Sequence, residues 1–197
     1  MTTTQPDILR PIQFTYEALN HEQTAVFDTI AAGPRRVTEG PLRILVLNPA
    51  LADHVQKLGE YCRYGTSLPP RLTELAIIVV GAFWKAGFEW EAHAPLAEQA
   101  GIDRGVIEAI RLQANPSFKK RDEQAVYDAL RALLNDRDVP DEAYSRLIRE
   151  IGQQGAIDLV GIAGYYCLIC LTINAFRVPL VLPSAVPFES ASARNAQ

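Results

Sequence analysis

Residues 68–101 read LPPRLTELAIIVVGAFWKAGFEWEAHAPLAEQAG, and the fold follows from how this stretch is parsed. Pro69-Pro70 suits the entry of a helix, because proline in the first turn gives up an amide that has no intrahelical partner anyway. From Pro70 to about residue 85 the run is apolar nearly all round (Leu72, Leu75, Ala76, Ile77, Ile78, Val79, Val80), which marks a central, buried helix. Gly87 breaks the chain, and a second helix runs from about Phe88 to Gly101, a suitable C-terminal cap. Pro95 inside it removes one backbone donor and frees the carbonyl of Glu91. So short a connection makes the two helices an antiparallel pair.

Inside this apolar pair sit Glu74, Glu89 and His93. Glu89 and His93 are four apart, so they share a helix face one turn apart, together with Leu96 and Ala100. Glu74 precedes His93 by nineteen residues and reaches the same place only if the helices pack antiparallel. Two carboxylates and an imidazole are costly to bury without a use. Beside a carboxylate, His93 gains basicity and can exchange a proton near neutral pH. The residues alone also allow a solvated Glu89–His93 pair with Glu74 on a wet first turn.

Outward from this pair the periodicity stays helical. Residues 15–32 form a first helix, with Thr15 as N-cap and Gly33-Pro34 as stop, followed by a basic loop at 33–40 containing Arg35 and Arg36. Leu42 to Leu47 reads as a strand or, with Asn48-Pro49 so close behind, a short helix. From Ala50 to Arg63 a stripe of Leu51, Val55, Leu58 and Cys62 indicates a further helix. Helices follow at about 103–114, 119–135, 140–153 and 155–176. Gly161 and Gly164 in the last permit close approach of another helix. Residues 183–197, small and polar, read as a frayed tail. The expectation is an all-α single domain over 1–197, its core at about 33–180, with a long buried C-terminal helix.

Composition narrows the function classes. A chain of 197 residues with 48% hydrophobic and 21% charged residues can bury a full core. A net charge of -4 gives no electrostatic footprint for nucleic acid. Cys62, Cys167 and Cys170 are too few for a disulfide scaffold. The N-terminal residues lack the basic and apolar regions of a secretory signal. The uncharged run from Leu159 to Ile173 is too short to span a bilayer. These observations point to a cytoplasmic protein with no membrane partner. Cys167-Leu168-Ile169-Cys170 lies deep in an apolar helix, where burial raises a thiol pKa, and no further metal ligand is close in sequence. It reads as packing, as does Cys62. His21 and His54 read as surface residues.

The string from Leu68 to Leu75, followed by Glu89-Trp90-Glu91-Ala92-His93-Ala94-Pro95-Leu96-Ala97 and Ala100-Gly101-Ile102, resembles the carboxymuconolactone decarboxylase family of the AhpD-like superfamily. Gly40-Pro41, Asn48-Pro49-Ala50-Leu51-Ala52, Asp158-Leu159-Val160, and Gly164-Tyr165-Tyr166 through Pro179 look like its flanking parts, so the resemblance covers most of residues 33–180. AhpD-like hydroperoxidases carry cysteines seven and four residues before the histidine and a relay glutamate nineteen before it. Glu74 and His93 keep the glutamate–histidine spacing, whereas Ala86 and Glu89 occupy the cysteine positions. Without a thiolate there, the site has no peroxidatic nucleophile. The decarboxylase branch has a glutamate where Glu89 stands.

The resemblance therefore implies a cofactor-free acid–base enzyme, a carboxymuconolactone decarboxylase-like lyase acting on a small lactone or oxo acid. His93 would be proton donor or relay, Glu89 its partner or the direct acid, and Glu74 the residue orienting His93. A guanidinium from Arg36 or Arg71 can hold a substrate carboxylate or lactone oxygen. Trp90 and Tyr64 can supply walls, as can Trp84 and Phe88. No cofactor and no metal are expected, and the family implies a homotrimer or homohexamer. Three alternatives stand beside this: a related hydratase, isomerase or cyclase, a peroxidase using Cys167 and Cys170, or a non-catalytic oligomeric binding protein.

Overall fold

A computed structural model describes residues 10–34, 39–182 and 187–188 of the chain. Among them the regular structure is helical throughout: a 3-10 turn at Tyr16–Ala18, then α1 His21–Ala32, α2 Pro41–Leu45, α3 Pro49–Glu60, a π-turn at Tyr61–Gly65, α4 Pro70–Trp84, α5 Gly87–Gln99, α6 Arg104–Arg111, α7 Arg121–Asp136 and α8 Asp141–Phe176. Leu42 to Leu47 resolves as the short helix. The all-α, AhpD-like expectation holds.

α4 is the axis of the molecule, packed by α5, α7 and α8. Residues 72–82 are buried without a break, which is what an apolar surface on every side requires. Pro70 occupies its first turn, and Lys85 in the left-handed conformation ends it. The chain turns through Ala86 and returns antiparallel as α5. Glu91 then accepts from the Val181 and Leu182 amides (2.8 and 2.6 Å), tying down the segment after α8.

The ends differ from expectation where a better cap is at hand. The first helix begins after Asn20, not Thr15, because Asn20 and Gln23 form a reciprocal capping box that Thr15 does not offer. On α3, Leu51 and Leu58 face solvent, and the buried face runs through Ala52, Val55, Gln56 and Gly59 to Cys62. The predicted stripe is rotated by about one position. α8 is interrupted at Gly152 (φ 72°, ψ 173°), so it consists of the two predicted segments. Gly161 and Gly164 have open space above them. The close approach falls instead at Gly155, where a Cβ would lie 3.0 Å from Leu68. The segment after Gly152 is apolar and long enough by composition to cross a membrane, but most of it is buried inside the molecule. Within the tail expected to fray, Pro187 accepts from Arg111 Nη1 (2.8 Å) and Phe188 packs edge-on to Trp90.

Candidate active site

The α4–α5 turn brings Glu74, Glu89 and His93 together. His93 Nδ1–H donates to Glu74 Oε2 (2.6 Å) and Nε2–H donates to Glu89 Oε1 (2.9 Å). All three are buried, with His93 4% exposed. α5 places Glu89 in its first turn, against Gly81 of α4. Burial alone would pull the imidazole pKa down. The Glu89 charge, with the hydrogen bonds to Glu74 and Glu89, outweighs it and raises His93 from 6.5 to about 9. The ring is an imidazolium at neutral pH, held at both nitrogens.

A cavity of about 310 Å³ opens onto this trio. Glu89 and His93 line it and Glu74 stands behind the ring. Leu42, Phe88, Leu96 and Ile169 supply apolar wall, and Tyr165 and Tyr166 close it from α8. Tyr166 packs edge-on to His93 (5.4 Å between centroids). Burial and then the Glu89 charge push its phenol well above the usual value, so it remains a proton-bearing donor. At the mouth, Gly40 adopts φ 71°, and a Cβ there would run into the Phe88 ring. Phe88 also lines a neighbouring cavity of about 250 Å³.

Arg63, which the sequence reading passed over, lines the cavity from the π-turn, its side chain 21% exposed and its Nη2 3.8 Å from Glu74 Oε1. Arg63 belongs to the π-turn, a kind of turn common at functional sites. Asp158 fixes that turn from α8, accepting from Tyr61 Oη (2.6 Å), Ser67 N (2.7 Å) and Ser67 Oγ (2.7 Å).

The other expected binding residues fare differently. Tyr64 lines the cavity, its ring 5.5 Å from the Arg63 guanidinium carbon. Arg71 does not line it: Asp122 and Glu123 of α7 engage both its terminal nitrogens (2.6 and 2.5 Å), making it a strut between helices. Trp90 points away, buried against Phe188. Arg36 lies outside the described residues. Cys167 and Cys170 are not among the cavity residues. Cys167 Sγ accepts from Trp84 Nε1 (3.2 Å), and burial raises the Cys170 thiol far above its usual value. Among the described residues no three His, Cys, Asp or Glu converge on a metal position. Glu74 and Glu89 approach opposite edges of one ring, not a common point.

Helices arranged in this order around a buried acid–base trio define an AhpD-like helical protein. Residues 49–132 match the model of the carboxymuconolactone decarboxylase family. Among solved structures it is similar to the debrominase Bmp8 (TM-score 0.69, 16% identity, 92% of this chain and 97% of that one). An uncharacterised peroxidase-related protein from Silicibacter sp. TM1040 is comparable (TM-score 0.68, 14% identity, 90% and 95%). An Agrobacterium tumefaciens protein of unknown function, described as a candidate AhpD antioxidant defence protein, matches over 66% of this chain and 90% of its own (TM-score 0.59, 16% identity). At such identities the likeness is one of fold. No functionally curated protein matches the chain in sequence.

Proposed function

We propose that the chain is a cofactor-free acid–base enzyme of the decarboxylase type, acting on a small lactone or oxo acid. The observation that carries this is the buried imidazole held at both nitrogens by carboxyl groups, one of which borders the cavity. In this reading the substrate loses carbon dioxide, and the electron pair left behind delocalises onto the ring carbonyl as a dienolate. Tyr166 donates its hydroxyl hydrogen bond to that oxygen. His93 Nε2 passes its proton to Glu89, which delivers it to the ring carbon and returns to the carboxylate, and solvent reprotonates the imidazole. Glu74 holds Nδ1 and keeps the ring charged and oriented. The apolar wall strips water from the departing carboxylate. Bmp8, of the same fold, has been crystallised with 2,3,4-tribromopyrrole, which supports a small flat ring as the kind of ligand such a cavity accepts.

Ultraviolet-monitored turnover of 4-carboxymuconolactone tests this directly. Glu89→Gln and His93→Gln should each lower turnover by about 10²–10⁴-fold with helix content unchanged. Full activity in His93→Gln would remove the assignment. The same proposal includes self-association as a homotrimer or homohexamer, for which Ile157, Val160 and Leu171, left exposed by α8, offer apolar surface. Sedimentation velocity reads that state, and a monomer at every concentration would refute it.

A further inference from the structure

Two cavities meet at one side chain. Phe88 lines both the cavity that holds Glu89 and His93 and the neighbouring one of about 250 Å³. From the first turn of α5 its ring reaches to the start of α2 tip first: Cζ and the two Cε atoms are those a Cβ on Gly40 would meet. Gly40 is fitted to this contact in two ways. Its φ of 71° with ψ of -146° lies close to the region that only glycine populates, and any side chain there would displace the ring. α2 continues the partition, with Pro41 and Leu42 on the first cavity and Arg43 and Ile44 on the second. Ile12, Ile44, Val178 and Leu180 give the second cavity an apolar wall. Arg43 on that wall is already engaged: it donates to the Phe14 carbonyl (2.6 Å), lies over the Phe14 ring and stands 3.9 Å from Glu39. Such a space suits an uncharged hydrocarbon chain and not an anion.

We propose that Phe88 sets the length of ligand the site accepts: its ring confines the cavity of the trio to a compact ring and excludes one that carries an alkyl chain. This rests on the decarboxylase reading in placing the reacting ring beside Glu89, and it adds which members of that substrate class fit. Phe88 directly precedes Glu89 on α5, so the partition is held in register with the acid. The ring is also stopped at its far end, because its tip already abuts Gly40. A shorter side chain at position 88 removes the partition and opens the trio's cavity to the 250 Å³ beyond it. An alkyl chain on the substrate would there exchange water for Ile44, Val178 and Leu180, a favourable transfer once the space exists. With the aromatic ring in place the same chain has nowhere to go, and forcing it in costs packing. One side chain thus decides between two classes of substrate.

Calorimetric titration with γ-valerolactone, γ-octalactone and γ-decalactone, which share a ring and differ in the chain it carries, reads this without any turnover. Wild-type protein should lose affinity along the series, by at least about tenfold from first to last. Phe88→Ala should reverse the order and bind γ-decalactone at least about tenfold more tightly than γ-valerolactone. Phe88→Leu should fall between the two, and carries the test if Phe88→Ala loses its circular dichroism. Adding Val178→Phe to Phe88→Ala should cancel the gain, because Val178 lines the second cavity and not the first. Wild-type affinity that is level or rises along the series, an order unchanged in the Phe88 variants, or a gain that persists with Val178→Phe overturns the proposal. Failure of every lactone to bind any of these proteins overturns it too. Discrimination by length without turnover of 4-carboxymuconolactone would instead overturn the decarboxylase reading and leave the role of Phe88 in place. Turnover with a level series would do the reverse.

Discussion

The imidazole of His93 is unusual in having no free edge. A histidine that works as a shuttle usually presents one nitrogen to its partner and one to the substrate; here carboxylates take both. In the proposed reaction the ring therefore reaches the substrate only through Glu89, although both residues line the cavity. Because the His93 pKa is raised from 6.5 to about 9 by folding, its contribution to stability is fully present below pH 6.5 and is lost as pH rises through about 9. Thermal melts of the wild type should fall across that window, and His93→Gln should flatten the fall; an identical slope in the variant would show that the ring is not the titrating group. Glu74→Gln should lower the imidazole pKa, read from its proton resonances. At this scale the trio was legible, because four-residue and nineteen-residue spacings map onto one face and one antiparallel turn. The arginines were not. Arg71 was favoured for standing three residues before Glu74 and Arg63 was passed over; the α7 acids opposite one and the π-turn beneath the other tell them apart.

Among the elements, the π-turn at Tyr61–Gly65 does the positioning that no helix pattern announces. Its geometry depends on Asp158, whose carboxylate gathers three donors from Tyr61 and Ser67. Burial works against that carboxylate, but the Tyr61 and Ser67 hydrogen bonds prevail and hold its pKa below the ordinary value. Asp158→Asn turns an amide toward a backbone donor, and should cost about 1–3 kcal/mol in chemical denaturation. An unchanged midpoint would mean the turn holds its shape unaided. The helices were legible in order, because apolar periodicity fixes them, except at 42–47, which the sequence left open between strand and helix. Their ends were less so: Asn20 displaced Thr15 through a reciprocal cap, and the α3 face slipped by one position because exposed leucines look like buried ones in a sequence. Gly161 and Gly164 suggested a close approach that is found instead at Gly155, against the Leu68 side chain of the loop before α4, since only packing reveals which glycine is covered.

For the molecule as a whole, α4 joins everything that matters to the site. It carries Glu74, receives α5, and rests on α7 and α8. Leu75→Ala, at a fully buried position of α4, should destabilise by about 2–5 kcal/mol in a transition seen alike by tryptophan fluorescence and circular dichroism. Two separated transitions would show that the helical layers are not one cooperative unit. The long apolar helix and the single core were readable from composition. The docking of Pro187 and Phe188 was not, because nothing in a small, polar tail predicts an arginine and a tryptophan waiting for it.

Asp158 lies 91 residues beyond Ser67, and this separation sets an order of events during synthesis. The helices bearing Glu74, Glu89 and His93 leave the ribosome early and can pair at once. The turn bearing Arg63 has no clasp until α8 follows, roughly five seconds or more later at ordinary elongation rates. The nascent chain therefore holds Glu74, Glu89 and His93 together before the turn at Tyr61–Gly65 is clasped, and the cavity closes only with the last helix.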